Sequence, residues 1–95
     1  GDTLDCIVLS DKVLSSGIIV ACHPIAIMKQ LDRGQQDDKI IAVPVGEALR
    51  DLTEAEKQEF IDFYAELARQ KNKIIEIAGF EDKNQAVAEI KKATI

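Results

Sequence analysis

Residues 32–44 read Asp-Arg-Gly-Gln-Gln-Asp-Asp-Lys-Ile-Ile-Ala-Val-Pro, which joins an acidic turn to an apolar run. Gly34 lies in the turn, and Lys39 opens the run that Pro44 stops. Polar residues around a glycine, followed by β-branched residues, are typical of a hairpin that leads into a strand. The pattern therefore predicts carboxylates at the mouth of a strand, at Asp32, Asp37 and Asp38.

Clustered carboxylates repel one another unless a cation lies among them. Hard divalent cations such as Mg²⁺ and Ca²⁺ prefer oxygen ligands, so this turn is a candidate metal site. An Asp-rich turn is more commonly a solvated loop, because such short patterns often occur without a ligand. On this stretch alone, both interpretations are open.

A second acidic segment stands at the front of the chain. Asp-Thr-Leu-Asp at residues 2–5 leads directly into Cys-Ile-Val-Leu at residues 6–9. A short apolar, β-branched run of this kind favours a strand. Two acidic loops therefore adjoin two predicted strands.

Together, the segments at residues 1–6 and 37–44 resemble the soluble family of inorganic pyrophosphatases. The family signature is an Asp-x-Asp-x-x-Asp run, followed downstream by Asp-x-Lys before Ile/Val-Ala-Val-Pro. The similarity continues through residues 17–28, the Phe63-Tyr64 pair and residues 79–82, and so covers nearly all 95 residues. Gly1 stands where the middle residue of the signature belongs, and the first Asp of the signature is absent.

The resemblance implies an enzyme that hydrolyses inorganic pyrophosphate to two phosphates with Mg²⁺, or alternatively Mn²⁺. Such cations lower the pKa of bound water and stabilise a leaving phosphate, and a ring of aspartates is the expected scaffold. The positions that match the family site are, for metal ligands, Asp5, Asp32 and Asp37; for the attacking water, Asp2; and for phosphate, Lys39, Tyr64 and either Lys71 or Lys73.

Each of these residues also has a purely structural interpretation. Asp5 fits a loop before a strand, Lys39 a solvated charge, and Tyr64 a packed aromatic. Two positions depart from the family pattern and weaken the implied site. Arg33 replaces a frequent further acid, and Ala65 replaces a phosphate-binding lysine. The family's N-terminal part, which supplies barrel strands and other phosphate-binding residues, has no counterpart in this sequence.

The chain order predicts an α+β domain of three or four strands, a helix, a strand and a helix, with both helices on one side of a mostly antiparallel sheet. Strands are predicted over residues 4–9, 18–28 and 40–43, with a polar hairpin at 29–36. Residues 1–45 then form an antiparallel meander, and residues 46–95 a helix-strand-helix unit. By resemblance, the fold is a partial OB-like barrel with two helices packed outside.

Local signals locate the second half of the chain. Residues 45–52 are expected to hold a short helical turn. Thr53 and Glu56 form a capping box, which starts a helix that ends near residues 71–73. A strand is predicted before Gly79, and Asp82 is a second cap for the last helix.

Composition limits the partners of this chain. Its 12 Lys and Arg residues oppose 17 Asp and Glu residues, for a net charge of −5, and aromatic residues make up 4%. This balance disfavours nucleic acid and anionic membranes. There is no apolar run of roughly 20 residues and no basic-then-apolar leader, so we expect a cytoplasmic protein. Cys6 and Cys22 are expected to be buried free thiols.

A barrel that lacks strands leaves an unpaired edge, which favours pairing with another chain. We therefore expect a homo-oligomer. Two interpretations of the chain are open, a fragment of a longer enzyme and a naturally shortened relative. The corresponding functions are a pyrophosphatase and a catalytically impaired pyrophosphatase-like module for binding or oligomerisation.

Overall fold

The computed structural model describes residues 5–9 and 21–93. Within these residues there are four strands, a helix, a strand and a helix, in keeping with the predicted order of three or four strands, a helix, a strand and a helix, which confirms the α+β class. Their bounds are β1 Asp5–Val8, β2 Cys22–Asp32, β3 Gln35–Gln36, β4 Lys39–Pro44, α1 Glu54–Lys71, β5 Ile75–Asp82 and α2 Lys83–Ala93.

The long strand β2 is the centre of a curled, mixed, five-stranded sheet. It pairs antiparallel with β4 and β3 and also with β5, and register shifts interrupt both long ladders. Such irregularities bend a sheet, so the strands form half of a barrel. Strand β1 pairs with β4 in parallel, so the predicted antiparallel meander is wrong at its first strand. Apolar patterning marks a strand but carries no information on its direction.

The hairpin between β2 and β3 is shorter than predicted. Strand β2 continues to Asp32, and the turn consists of Arg33 and Gly34, with φ of 53° and 80°. Positive φ at both central residues matches the right-handed twist of the flanking strands, so two residues suffice to reverse the chain. Polar composition alone overestimated the length of the loop.

The core lies on both faces of the sheet. Buried side chains of one cluster pack against Phe60 and Tyr64 of α1, and those of the other pack with Ala86 and Ile90 of α2. The first cluster contains Ile25, Ala26, Met28, Ile41, Val43 and Leu52; the second contains Ile27 and Ile40. Successive residues of a strand point to opposite faces. The helices therefore lie on opposite faces rather than on one side, because the apolar runs of β2 and β4 need cover on both.

Helix α1 begins at the predicted capping box. The Glu56 N–H donates to Thr53 Oγ1 at 3.1 Å, and the Thr53 N–H donates to Glu56 Oε1 at 3.0 Å. The helix ends at Asn72, which adopts a left-handed φ of 53°. Instead of the helical turn predicted within residues 45–52, this stretch is irregular, and Arg50 holds it to Glu56 through hydrogen bonds of 2.7 and 2.8 Å.

The last strand and the two cysteines differ in part from what the sequence predicts. The strand predicted to stop before Gly79 continues to Asp82, whose Oδ1 accepts a hydrogen bond from the Gln85 N–H at 3.2 Å, as the predicted cap requires. Cys6 is exposed and Cys22 is half-buried, so the prediction of buried thiols is wrong; Cys6 lies on β1, the outermost strand on that side of the sheet among the described residues. Within the described ranges, no helix is long and apolar enough to cross a membrane.

The Arg50–Glu56 ion pair makes the free energy of unfolding depend on pH. The hydrogen bonds from Arg50, opposed by burial, hold the pKa of Glu56 at about 2, below its ordinary 4.5. A carboxylate with a lowered folded-state pKa stabilises the fold fully above pH 4.5, and this contribution is lost as pH falls towards 2. We expect Glu56→Gln to lower the free energy of unfolding by about 1 kcal/mol at pH 7 and hardly at all at pH 2.

Urea unfolding at pH 7, 4.5 and 2 measures this difference. Glu54→Gln is the matched control, since Glu54 lies in the same first turn of α1 and its side chain is 90% exposed. A deficit in Glu56→Gln that stays constant across the three pH values would contradict the role of the charge.

Candidate functional site

Strands β1 and β4 bring two carboxylates to one lysine. Asp5 and Lys39 are directly paired in the parallel register, and Asp37 precedes Lys39 by two residues, on the same side of the chain. Lys39 Nζ lies 2.6 Å from Asp5 Oδ2 and 3.0 Å from Asp37 Oδ2. Burial by itself disfavours the ammonium, but the two hydrogen bonds outweigh it and raise the pKa of Lys39. The group is therefore a buried cation that bridges two carboxylates.

Asp32 is held separately, by a different lysine. Lys73 Nζ donates to Asp32 Oδ2 at 2.9 Å, and Arg33 Nε lies 3.5 Å from Asp32 Oδ1. The hydrogen bond from Lys73, against a smaller effect of burial, lowers the pKa of Asp32. Asp32 Oδ1 is buried and accepts no hydrogen bond from the described residues. A buried carboxylate oxygen without a donor is an available ligand atom.

Tyr64 of α1 both packs in the core and lies near the charged residues of the candidate site. Its ring packs against the first core cluster and makes an edge-to-face contact with Phe63 at 5.0 Å. Burial raises the pKa of Tyr64, and the charges of Lys39, Asp37 and Asp5 also act on it. The phenol therefore lies within electrostatic reach of the carboxylate-bridging lysine.

The remaining predicted residues separate clearly. Lys73 reaches Asp32, whereas Lys71 is exposed at the end of α1. The sequence did not distinguish Lys71 from Lys73 as the matching lysine. In the structure, Lys73 is the one that lies at the acidic residues. Asp2, the predicted partner of the attacking water, lies outside the described residues.

Sequence reasoning missed the role of Asp38. Asp38 directly precedes β4, and its buried carboxylate accepts hydrogen bonds from Lys29 at 3.1 Å, from Gln36 at 2.7 Å and from the Gln30 N–H at 3.2 Å. Burial alone would raise the pKa of Asp38, but the hydrogen bonds outweigh burial, so the pKa is lower than its ordinary value. The alternation of a strand was the available signal, because it turns Asp38 away from Asp37 and Lys39.

The residues present fit a divalent cation in their chemistry. Asp5, Asp32 and Asp37 supply only carboxylate oxygens, which hard cations prefer, and one of these oxygens is buried without a donor. Their arrangement is not a closed cage, since no group of three His, Cys, Asp or Glu side chains within the described parts of the chain is placed to hold a metal. Asp32 and Asp37 line a shared cavity of about 410 Å³, together with Arg33, Gln35 and Gln36.

Comparisons with known proteins point to one family. The family model described as inorganic pyrophosphatase matches residues 1–95. A Haloferax volcanii protein named inorganic pyrophosphatase is 35% identical over 100 residues, which cover 97% of this chain and 56% of the relative. A Thermoplasma volcanium protein of the same name is 32% identical over 107 residues, covering 100% and 62%.

Solved structures give the same result. The chain matches an inorganic pyrophosphatase from Helicobacter pylori with a TM-score of 0.85 and 26% identity, over 98% of this chain and 61% of the other. For a Thermus thermophilus inorganic pyrophosphatase the TM-score is 0.79 and the identity 29%, over 96% and 58%. These likenesses confirm the predicted partial barrel. The chain spans about three-fifths of the length of the relatives it matches.

Proposed function

Because this chain belongs to the inorganic pyrophosphatase family, we propose that it carries the carboxylate-bearing part of a site for Mg²⁺-dependent hydrolysis of inorganic diphosphate to two phosphates, the reaction of the complete enzyme. The observation that supports the proposal is the buried Lys39 ammonium between Asp5 and Asp37. Carboxylates could bind a cation, and the lysine beside them at the start of β4 could bind a phosphate. Asp32, with an oxygen that lacks a donor, borders the same cavity as Asp37.

Hydrolysis of a phosphoanhydride requires in-line attack by water, and negative charge then spreads over the equatorial and leaving oxygens. A divalent cation held by Asp5, Asp32 and Asp37, Mg²⁺ or alternatively Mn²⁺, would supply water of lowered pKa and stabilise the leaving phosphate. Asp2 is the proposed residue that positions or deprotonates this water.

The cationic and phenolic side chains have separate proposed roles. The Lys39 ammonium has three N–H donors, of which the two carboxylates engage two, so one remains for a phosphate oxygen. Tyr64 offers a hydroxyl donor beside the same charges. Lys73 keeps Asp32 ionised through their hydrogen bond. Lys71, exposed beyond this cluster, is the weaker candidate of the two lysines.

A second candidate function is a shortened, catalytically impaired module that binds or oligomerises. Within residues 5–9 and 21–93, β1 pairs with β4 on one side and leaves its other edge open. Beside it lies a mostly apolar groove of about 480 Å³, lined chiefly by Ile7, Leu9, Phe60, Phe63 and Tyr64. An open edge next to an apolar groove is a template for pairing. We propose that a second copy of the chain covers it, most simply as a C2 dimer.

The enzymatic proposal is tested by phosphate release from pyrophosphate, with and without Mg²⁺. We expect slow, Mg²⁺-dependent release by the 95-residue chain, because Ala65 stands where the family carries a phosphate-binding lysine. Lys39→Met should slow it further, on the order of 100-fold, since one preorganised donor and its charge are lost.

Lys91→Met, an exposed lysine of α2, is the matched control and should keep the wild-type rate. Equal rates in Lys39→Met and Lys91→Met would argue against the role of Lys39. An absence of release under all conditions would contradict hydrolysis by this chain alone and favour the impaired module.

The proposed cation is tested by thermal unfolding. Binding to the folded state alone stabilises it by mass action, so excess Mg²⁺ or Mn²⁺ should raise the melting temperature modestly. We expect Asp37→Asn to abolish this rise, because it removes a ligand that is held at the protein surface and is not needed for the core. Asp62→Asn, which removes an exposed carboxylate from α1, should retain the rise. The same response in both variants would mean that the acidic cluster is only solvated.

The proposed self-association is tested by sedimentation velocity across a range of protein concentrations. Phe63 is 60% exposed in the groove, so Phe63→Ser should shift the chain towards monomer by removing apolar area from the contact. Leu49→Ser changes a residue that is 55% exposed elsewhere and should leave association unchanged. A stable wild-type monomer at high concentration would contradict the proposal.

A further inference from the structure

We propose that Arg33 contacts a phosphate group of the substrate or product, beside Asp32 and Asp37. This inference rests on the proposed function and extends it to a residue at which the sequence departs from the family pattern. Arg33 lines the same cavity as both carboxylates, together with Gln35 and Gln36. Polar residues and an arginine around one cavity suit an anion that arrives with a cation.

The backbone of the turn makes an arginine at this position unexpected. Arg33 has a φ of 53°, in the left-handed region where a side chain other than that of Asn, Asp or Gly costs conformational energy. Two-residue hairpins of this kind favour Asn-Gly over Arg-Gly. Tertiary structure maintains the turn, because the Arg33 N–H donates to the Ile74 carbonyl at 2.8 Å. An unfavourable residue in a firmly held turn points to a function of its side chain.

Among the described cations near the cavity, Arg33 has the longest ion pair. Lys39 and Lys73 both have carboxylate oxygens within 3.0 Å. The Arg33 guanidinium, by contrast, forms an ion pair with Asp32 Oδ1 at 3.5 Å and makes no hydrogen bond with any described residue, so most of its N–H groups are left for a ligand. Its side chain is 72% exposed. Because a guanidinium carries five N–H donors in a planar fork, it can hold two phosphate oxygens at once.

Lys73 makes this contact electrostatically feasible. An isolated Asp32 carboxylate would repel a phosphate that approaches Arg33, but the hydrogen bond from Lys73 compensates its charge. Arg33 thus faces a neighbour that is already paired. The turn therefore presents a cation to the cavity without competing for the carboxylates that Lys39 bridges.

The test is calorimetric titration of inorganic phosphate into the full 95-residue chain in the presence of Mg²⁺. Arg33→Asn removes the guanidinium and suits the left-handed turn, so the fold should be kept. We expect the phosphate Kd to rise about 5- to 10-fold, as for one exposed charge-assisted contact. Arg33→Lys should recover part of the affinity, because it restores the charge but not the fork.

Arg69→Gln is the matched control, since Arg69 is an arginine of α1 with a side chain that is 73% exposed. Its phosphate Kd should equal that of the wild type. A Kd unchanged in Arg33→Asn, an equal loss in Arg69→Gln, or a wild-type chain that binds no phosphate would each overturn the inference.

Phosphate binding and turnover separate this inference from the proposed function. A chain that loses phosphate affinity in Arg33→Asn but never hydrolyses pyrophosphate would reject the enzymatic proposal and support the role of Arg33. Hydrolysis of pyrophosphate with an unchanged phosphate Kd in Arg33→Asn would support the enzymatic proposal and reject the role of Arg33.

Discussion

The ion bridge from Asp5 through Lys39 to Asp37 is the interaction on which the site and one edge of the sheet depend. Parallel pairing of β1 with β4 brings Asp5 next to a strand that already carries Asp37. Without a cation between them, the Asp5 and Asp37 carboxylates would repel each other and loosen β1, a strand of only four residues. The Lys39 ammonium removes that repulsion at 2.6 and 3.0 Å. The charges of the site therefore also help to hold β1 in place.

Because β4 is buried on both faces, the neighbouring residues Asp37 and Asp38 lie on opposite sides of the sheet and have different roles. Asp37 and Lys39 point towards the α1 face, where Tyr64 lies. Asp38 points to the α2 face and forms a buried network with Lys29 and Gln36. The first group keeps a cavity and a donor available. The second is satisfied by hydrogen bonds, as a buried carboxylate must be to avoid a large desolvation cost.

Much of the fold could be predicted from local signals. The capping box at Thr53, the end of α1 and the order of elements depend on neighbours in the chain, which a sequence displays directly. The parallel direction of β1 and the opposite positions of the two helices depend on partners distant in sequence. The lysine that reaches Asp32 could not be chosen for the same reason, since Lys73 contacts it across 41 positions. For the candidate site, the sequence supplied candidate residues but not the ion pairs between them.

The ion pairs between the lysines and the aspartates lower the affinity that the site can have for a divalent cation. Among the described residues of the site, Asp5, Asp32 and Asp37 carry three negative charges, and Lys39, Lys73 and Arg33 carry three positive ones, so these charges balance without a metal. A divalent cation therefore competes with internal ammonium groups for the same oxygens, and the strength of those ion pairs is subtracted from its affinity. An arriving phosphate has the opposite effect, because it provides new partners for the ammonium groups that the metal displaces. Metal and phosphate should accordingly bind with positive cooperativity in this arrangement, each lowering the cost of binding the other.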